Sequence, residues 1–268
     1  MIENIPFSKA HGTGNDFIIF IADESPNFVR EQSFISRICR RRTGIGADAV
    51  LVLSQEPDFD FKMDYYNSDG TWETMCANGA LCAGQLMKAR GFIKKDQIRF
   101  LAGDGPHEME ILKGNQLRLK MSPPEYKSDE MTVEGFTGCH VDSGATHFAT
   151  KVERFTIKQA SEFAPGIRYS EAFAPRGINV NFFEMINPRT IKVITYEKGI
   201  EKVMLSCGSG SVAAAFHAAQ SHEMKSPMDV IVPGGRLRVE FDTSWKNVWL
   251  QGPAVILFSS VINPDILH

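Results

Sequence analysis

The chain has 268 residues, 43% hydrophobic and 23% charged, with 29 Lys and Arg against 32 Asp and Glu for a formal net charge of −3. That balance belongs to a soluble globular protein and gives no electrostatic pull toward nucleic acid or a membrane surface. The length suits one large domain or two of ordinary size, and no apolar run approaches the roughly 20 residues of a membrane-spanning helix.

The opening residues, MIENIPFSKAHGTGND, hold no apolar segment of signal-peptide length, so a cytosolic location is expected. Short apolar, β-branched segments bounded by Gly, Pro, Asn or Asp then read as strands at 17–21 and 49–53. A helix is expected over 31–41, and its basic run Arg37, Arg40, Arg41 and Arg42 reads as a solvated face rather than a phosphate track. A second helix, rich in Ala, is expected over 78–90 and ends at Gly91, a natural residue just past a helix end. Strands at 97–101, 108–112 and 116–121 follow. Ser122-Pro123-Pro124-Glu125-Tyr126 forbids helix and favours an extended connector. The expected domains are therefore 1–121, carrying Cys76, and 126–262, carrying Cys207. In the second half, strands at 190–196, 229–232, 236–241 and 248–250 flank another small-residue helix at 208–222. The fold class is α/β of the α+β type, with strands outnumbering helices.

Five cysteines, Cys39, Cys76, Cys82, Cys139 and Cys207, are an odd set without CxxC spacing. A disulfide framework or a structural zinc site is not expected from them. Free thiols in a reducing compartment are buried small hydrophobes or reactive groups. Two of the five share a context. Cys76-Ala77-Asn78-Gly79 and Cys207-Gly208-Ser209-Gly210 each open an Ala-rich helix, about half a chain apart.

A cysteine at a helix start sits beside unsatisfied backbone N–H groups and the positive end of the helix dipole, which stabilise thiolate over thiol. The small residues that follow leave those amides uncovered for a carboxylate. Two such starts around one amino acid would cap its α-carboxylate and put a sulfur on each side of Cα. One sulfur removes the α-proton and the other returns one, as inversion requires; a single base would restore the starting stereoisomer. The plainer reading is that each cysteine is a packed core residue. A Cys–His nucleophilic pair using His147 or His217 is a competing chemistry.

At these residues the sequence resembles the diaminopimelate epimerase family. His11-Gly12-Thr13-Gly14-Asn15-Asp16-Phe17 is similar to its HGxGNDF signature, and Arg41-Arg42-Thr43-Gly44-Ile45-Gly46-Ala47-Asp48 to RRxGIGAD. Tyr66-Asn67-Ser68-Asp69-Gly70 and Met75-Cys76-Ala77-Asn78-Gly79 resemble the block around the first catalytic cysteine. Gly177-Ile178-Asn179-Val180-Asn181-Phe182, Tyr196-Glu197-Lys198-Gly199 and Cys207-Gly208-Ser209-Gly210 follow in family order. The resemblance implies two pseudo-symmetric domains, each a mixed, barrel-like sheet around a central helix, with the site in the interdomain cleft. It implies Cys76 and Cys207 as the paired base and acid, assisted by His147 and Glu197. It implies an α-carboxylate held at Cys76-Ala77-Asn78 and Cys207-Gly208-Ser209, with Asn15, Asn67, Asn179, Glu197 and Lys198 on the rest of the substrate. No cofactor and no metal are implied, and the partners are a small-molecule amino acid and a second copy of the chain. The activity implied is inversion of LL- to meso-diaminopimelate for lysine and peptidoglycan synthesis.

Departures cluster around the thiols. The family's GNPH is Gly144-Ala145-Thr146-His147, ERG is Glu197-Lys198-Gly199, and CGNGxR becomes Cys76-Ala77-Asn78-Gly79-Ala80-Leu81. The loop 200–205 lacks GxGET and is one residue longer. Racemisation of another amino acid such as glutamate, or broad specificity, is the alternative activity. A catalytically silent amino-acid-binding relative is the alternative of another class.

Overall fold

The computed structural model describes residues 4–263 and Ile266. It divides into one unit of Met1–Leu119 with Pro253–His268 and a second of Lys120–Gly252. In the first, β1 (Ile5–Gly12) turns back antiparallel into β2 (Asn15–Ile21). After α1 (Gln32–Cys39), β3 (Ala49–Glu56) lies parallel to β2 and pairs antiparallel with β4 (Phe59–Asn67). A short β5 (Trp72–Glu73) leads to α2 (Ala77–Ala89). Then β6 (Gln97–Ala102) joins β4 in parallel and continues antiparallel through β7 (Gly105–Ile111) to β8 (Gln116–Met121).

The second unit repeats this order. Past β9 (Glu125–Tyr126) and β10 (Met131–Val133), the antiparallel pair β11 (Phe136–Asp142) and β12 (Thr146–Lys151) leads to α3 (Ile157–Arg168). β13 (Asn179–Asn187) lies parallel to β12 and antiparallel to β14 (Thr190–Glu197). A short β15 (Lys202–Val203) leads to α4 (Gly208–His222). β16 (Met228–Val232) then joins β14 in parallel, followed antiparallel by β17 (Gly235–Phe241) and β18 (Val248–Pro253). Every parallel or antiparallel step of the first unit has its counterpart in the second, which matches the expected α/β class with duplicated halves.

One expected boundary moves. The expected second domain, 126–262, takes in β19 (Val255–Ile262), but this strand pairs antiparallel with β1 and belongs to the first unit. The backbone edge of β1 needs hydrogen-bond partners, and the last segment of the chain supplies them.

Each unit has its sheet covered on both faces. On one side α1 packs Phe34, Ile35 and Ile38 onto Ile18, Phe20, Val50 and Val52. In the second unit α3 packs Ala160, Ala164 and Ile167 onto Phe148, Val180, Phe182 and Ile194. On the other side α2 and α4 are buried nearly all round and touch strands of their own unit, β1–β4 and β7 for α2 and β11–β14, β16 and β17 for α4. Two covered faces explain why β2 and β3 read as unbroken apolar runs instead of alternating ones. Among the described residues no helix is long and apolar enough to cross a membrane.

Candidate active site

Cys76 is the N-cap of α2 and Cys207 the N-cap of α4, with nearly equal backbone angles, φ −139° and ψ 121° against φ −134° and ψ 117°. Both are half-buried, whereas Cys39, Cys82 and Cys139 are buried. Burial pushes the Cys39 thiol up to about 12, Cys82 well above its ordinary value, and Cys139 upward too. Those three are the small hydrophobes of the two classes open to a free thiol.

Around Cys76 the first unit gathers Asn15, Ala77 and Asn78. The Asn15 amide donates to Asp48 Oδ2 at 3.0 Å, so its Oδ1 faces Asn78 Nδ2 at 3.3 Å and Cys76 Sγ at 3.8 Å, with the thiol donating. Behind it lies an ion cluster. Lys9 Nζ meets Asp16 Oδ2 at 2.6 Å, and Arg41 bridges Asp16 Oδ1 at 2.6 Å and Asp48 Oδ1 at 3.0 Å. Burial pushes the Asp16 carboxyl up, but hydrogen bonds from Arg41 and Lys9 outweigh it and hold the group below its ordinary value. Arg41 is therefore a bridge rather than only part of a solvated face. Asn67 ends β4, where Tyr65 Oη donates to its Oδ1 at 3.0 Å and its Nδ2 donates to Thr71 Oγ1 at 3.2 Å. The turn beyond needs Gly70, which has φ +83° and would put a Cβ 2.6 Å from the Gln32 backbone.

Around Cys207 the second unit gathers Gly208, Ser209 and His147. Gly210 N–H donates to Cys207 Sγ at 3.4 Å, and Ser209 Oγ lies 3.6 Å from the same sulfur. Ser209 Oγ is also 3.0 Å from His147 Nε2, while the Ser209 carbonyl accepts from Ser143 Oγ at 2.9 Å. His147 is fully buried, and burial, with the positive charge of Lys198 and the nearby His140, pushes its pKa down to about 3. Asn179 ties three strand ends together: its Nδ2 donates to the Thr146 carbonyl at 2.9 Å and its Oδ1 accepts the Lys198 N–H at 2.8 Å. An amide carries two N–H and two lone pairs, so this clamp uses one of each. Glu197 ends β14 at the place where Asn67 ends β4, followed by Lys198. His217, the other candidate base for a Cys–His pair, is buried in α4 with its Nδ1 2.9 Å from Tyr126 Oη.

Three polar residues around the start of α4 have no role in the sequence reading: Asn181, which lies inside a motif, Thr195 and Ser143. The signal for Asn181 is alternation over 178–182, where apolar 178, 180 and 182 bracket polar 179 and 181. That pattern marks a strand whose second face carries polar groups. Among the described residues no three His, Cys, Asp or Glu side chains gather as metal ligands.

The family model described as diaminopimelate epimerase matches residues 7–127 and 139–257. A diaminopimelate epimerase of Aquifex aeolicus is 32% identical over 98% of this chain and 99% of its own length. One from Flavobacterium psychrophilum is 34% identical over 95% and 98%. The fold is shared with a Bacillus anthracis phenazine biosynthesis protein of the PhzF family, at a TM-score of 0.76 and 13% identity over 98% of this chain and 100% of that one. It is also shared with an Agrobacterium vitis hydroxyproline epimerase, at a TM-score of 0.73 and 13% identity over 97% and 93%. Duplicated topology, paired cysteine N-caps and matches across both halves all agree: the chain belongs to the diaminopimelate epimerase family.

Proposed function

We propose that this protein is an amino-acid epimerase acting on diaminopimelate, with Cys76 and Cys207 as its two proton-transfer groups. The observation that carries the reading is the duplicated cysteine N-cap, one at equivalent points of each unit, both only half-buried. In the forward reaction one sulfur is a thiolate and takes the proton from Cα, forming an S–H bond as the C–H bond breaks. The electron pair left on Cα spreads into the α-carboxylate, whose negative charge the amides at Ala77-Asn78 and Gly208-Ser209 stabilise. The other thiol gives its proton to Cα and becomes the thiolate, so the two groups have exchanged states and the configuration is inverted.

Asn15, Asn67 and Asn179 serve the remaining charged groups of a zwitterion, since an amide offers donor and acceptor without net charge. Glu197 assists proton movement at the thiols and, with Lys198 beside it, serves the distal end of the substrate. His147, held neutral at ordinary pH, acts as a hydrogen-bonding group rather than as a proton acceptor. The reaction needs no added cofactor in this reading, belongs to lysine and peptidoglycan synthesis, and takes place in the cytosol. A homodimer is the assembly implied by the family.

Lys198 and Ala145 favour a second reading, relaxed specificity. An arginine fork binds a carboxylate through two parallel hydrogen bonds, while lysine supplies charge with little directional demand. The test follows the Cα proton of LL-diaminopimelate, L-glutamate, L-aspartate and L-lysine in deuterated water, with chiral separation of the products. Exchange and inversion of LL-diaminopimelate are expected, and inversion of an acidic amino acid as well would support the second reading. Failure to exchange any amino acid by freshly reduced protein would overturn both.

A further inference from the structure

The two units differ at three equivalent inner-face positions. The β2–β3 register aligns Phe17 with Ala49 and the β3–β4 register aligns Leu51 with Tyr65. In the second unit β12–β13 aligns His147 with Asn179, and β13–β14 aligns Asn181 with Thr195. Phe17, Leu51 and Tyr65 thus correspond to His147, Asn181 and Thr195. A Cβ added to Gly79 would meet Leu51 and Phe17 first, and one added to Gly210 would meet Asn181 and Thr195 first, each glycine lying three residues after its cysteine. The same sheet closes around the same helix with an apolar residue at two of the three places in one unit. Packing therefore does not require His147 and Asn181 to be polar, and burying polar groups has a cost unless each finds a partner.

Each does. Thr195 Oγ1 donates to Asn181 Oδ1 at 2.8 Å, Asn181 Nδ2 lies 2.8 Å from His147 Nδ1, and His147 Nε2 lies 3.0 Å from Ser209 Oγ. The directions follow from the ends. An Asn Nδ2 can only donate, so His147 Nδ1 is the bare acceptor and the ring proton sits on Nε2. Nε2–H then donates to Ser209 Oγ, which turns the Ser209 hydroxyl proton toward Cys207 Sγ, 3.6 Å away. The sulfur already accepts the Gly210 N–H.

We propose that Asn181, set by Thr195, is a positioning residue that fixes His147 as its neutral Nε2–H tautomer and so turns the Ser209 hydroxyl onto Cys207, favouring the thiolate there in the resting protein. His147 stays a one-way donor in this chain, in keeping with its depressed pKa. The proposal rests on the reading of Cys207 as a reactive thiol, and its tests use no substrate.

The first test is nitrogen-15 spectroscopy of histidine-labelled protein, with His147→Phe identifying the resonances. Nε2 should be the protonated nitrogen and Nδ1 the bare one; the reverse assignment overturns the proposal. In Asn181→Asp, whose carboxylate only accepts, the proton should move to Nδ1. The second test is alkylation of Cys207 by iodoacetamide at neutral pH in a Cys76→Ala background, followed by mass spectrometry. Asn181→Leu, which copies the residue of the first unit, and Thr195→Val should each slow alkylation about three- to tenfold. Ser209→Ala should slow it too, and adding Asn181→Leu to Ser209→Ala should then have no further effect, because the chain is already cut. An equal loss in both backgrounds would mean that Asn181 acts by packing and would overturn the proposal. If Cα exchange fails while these two tests succeed, the functional reading falls and the assignment of the chain stands.

Discussion

Two buried histidines carry a pH dependence that belongs to single residues. Burial pushes His147 down to about 3, and burial with the nearby His222 pushes His217 down to about 4. An unfolded histidine titrates near about 6.5, so below that pH the unfolded chain binds protons that the fold excludes. The stabilisation from keeping both rings neutral is complete above that value and is lost as pH falls toward the folded values. Each ring should cost about 2 kcal/mol of stability at about pH 5 relative to about pH 7. The Asp16 carboxyl, held below its ordinary value, loses its contribution only at lower pH. Urea denaturation at the two pH values should show the drop, and His217→Phe should remove about half of it. Equal midpoints at both pH values would mean that the rings are solvated or protonated in the fold.

At the scale of elements, the starts of α2 and α4 have the same backbone but different walls. A Cβ on Gly79 would meet Leu51 at 3.3 Å and Phe17 at 3.4 Å, contacts that small shifts of side chains relieve. A Cβ on Gly210 would collide with Asn181 Oδ1 and lie 3.0 Å from Thr195 Oγ1, and relief there means breaking the hydrogen-bonded chain. Gly210→Ala should therefore cost about 1–3 kcal/mol, the usual range for overpacking, and Gly79→Ala less than about 1 kcal/mol, with the better helix propensity of Ala opposing both. Denaturation midpoints check the order, and equal losses would show that the two walls are equally yielding.

The same elements show what sequence could and could not tell. The helix expected at 208–222 is α4 as found, and the one at 78–90 lies a residue from α2, because runs of small apolar residues leave little else for a buried helix to be. Strands such as β2 and β3 were legible from their apolar runs, and β8 from its alternation of polar and apolar residues. β4, β12 and β13 were not, since their charged, His and Asn residues dilute the apolar signal and read as motif instead. α3 was missed although Thr156 and Gln159 form a capping box, because Pro165 and Gly166 suggest a turn. Of the site, the cysteines and their helix starts were legible locally. Asn181 and Thr195 were not, because their roles depend on cross-strand register, which local sequence does not state.

The whole molecule is two copies of one topology that diverged in what surrounds the sulfur. In the first unit Cys76 faces the Asn15 carbonyl oxygen, an acceptor, and in the second Cys207 faces the Gly210 N–H and the Ser209 hydroxyl. A duplicated fold supplies two similar thiols, and in the proposed mechanism these unlike neighbours favour a thiol at Cys76 and a thiolate at Cys207, the state from which inversion in one direction would begin. Replacing either cysteine should lower inversion about a thousandfold or more, the upper range for loss of a positioned acid or base. Proton exchange should survive in part, because the remaining sulfur, in whatever fraction is thiolate, still removes the α-proton it faces and returns a solvent-derived one from the same side. Cys76→Ala and Cys207→Ala should then exchange opposite stereoisomers at the reacting carbon, each without inverting it. Mass spectrometry of deuterium uptake from separate stereoisomers, paired with chiral chromatography, reads both quantities in one sample. Inversion near the wild-type rate in either variant, or exchange of the same stereoisomer by both, would be incompatible with one thiol for each face of the carbon.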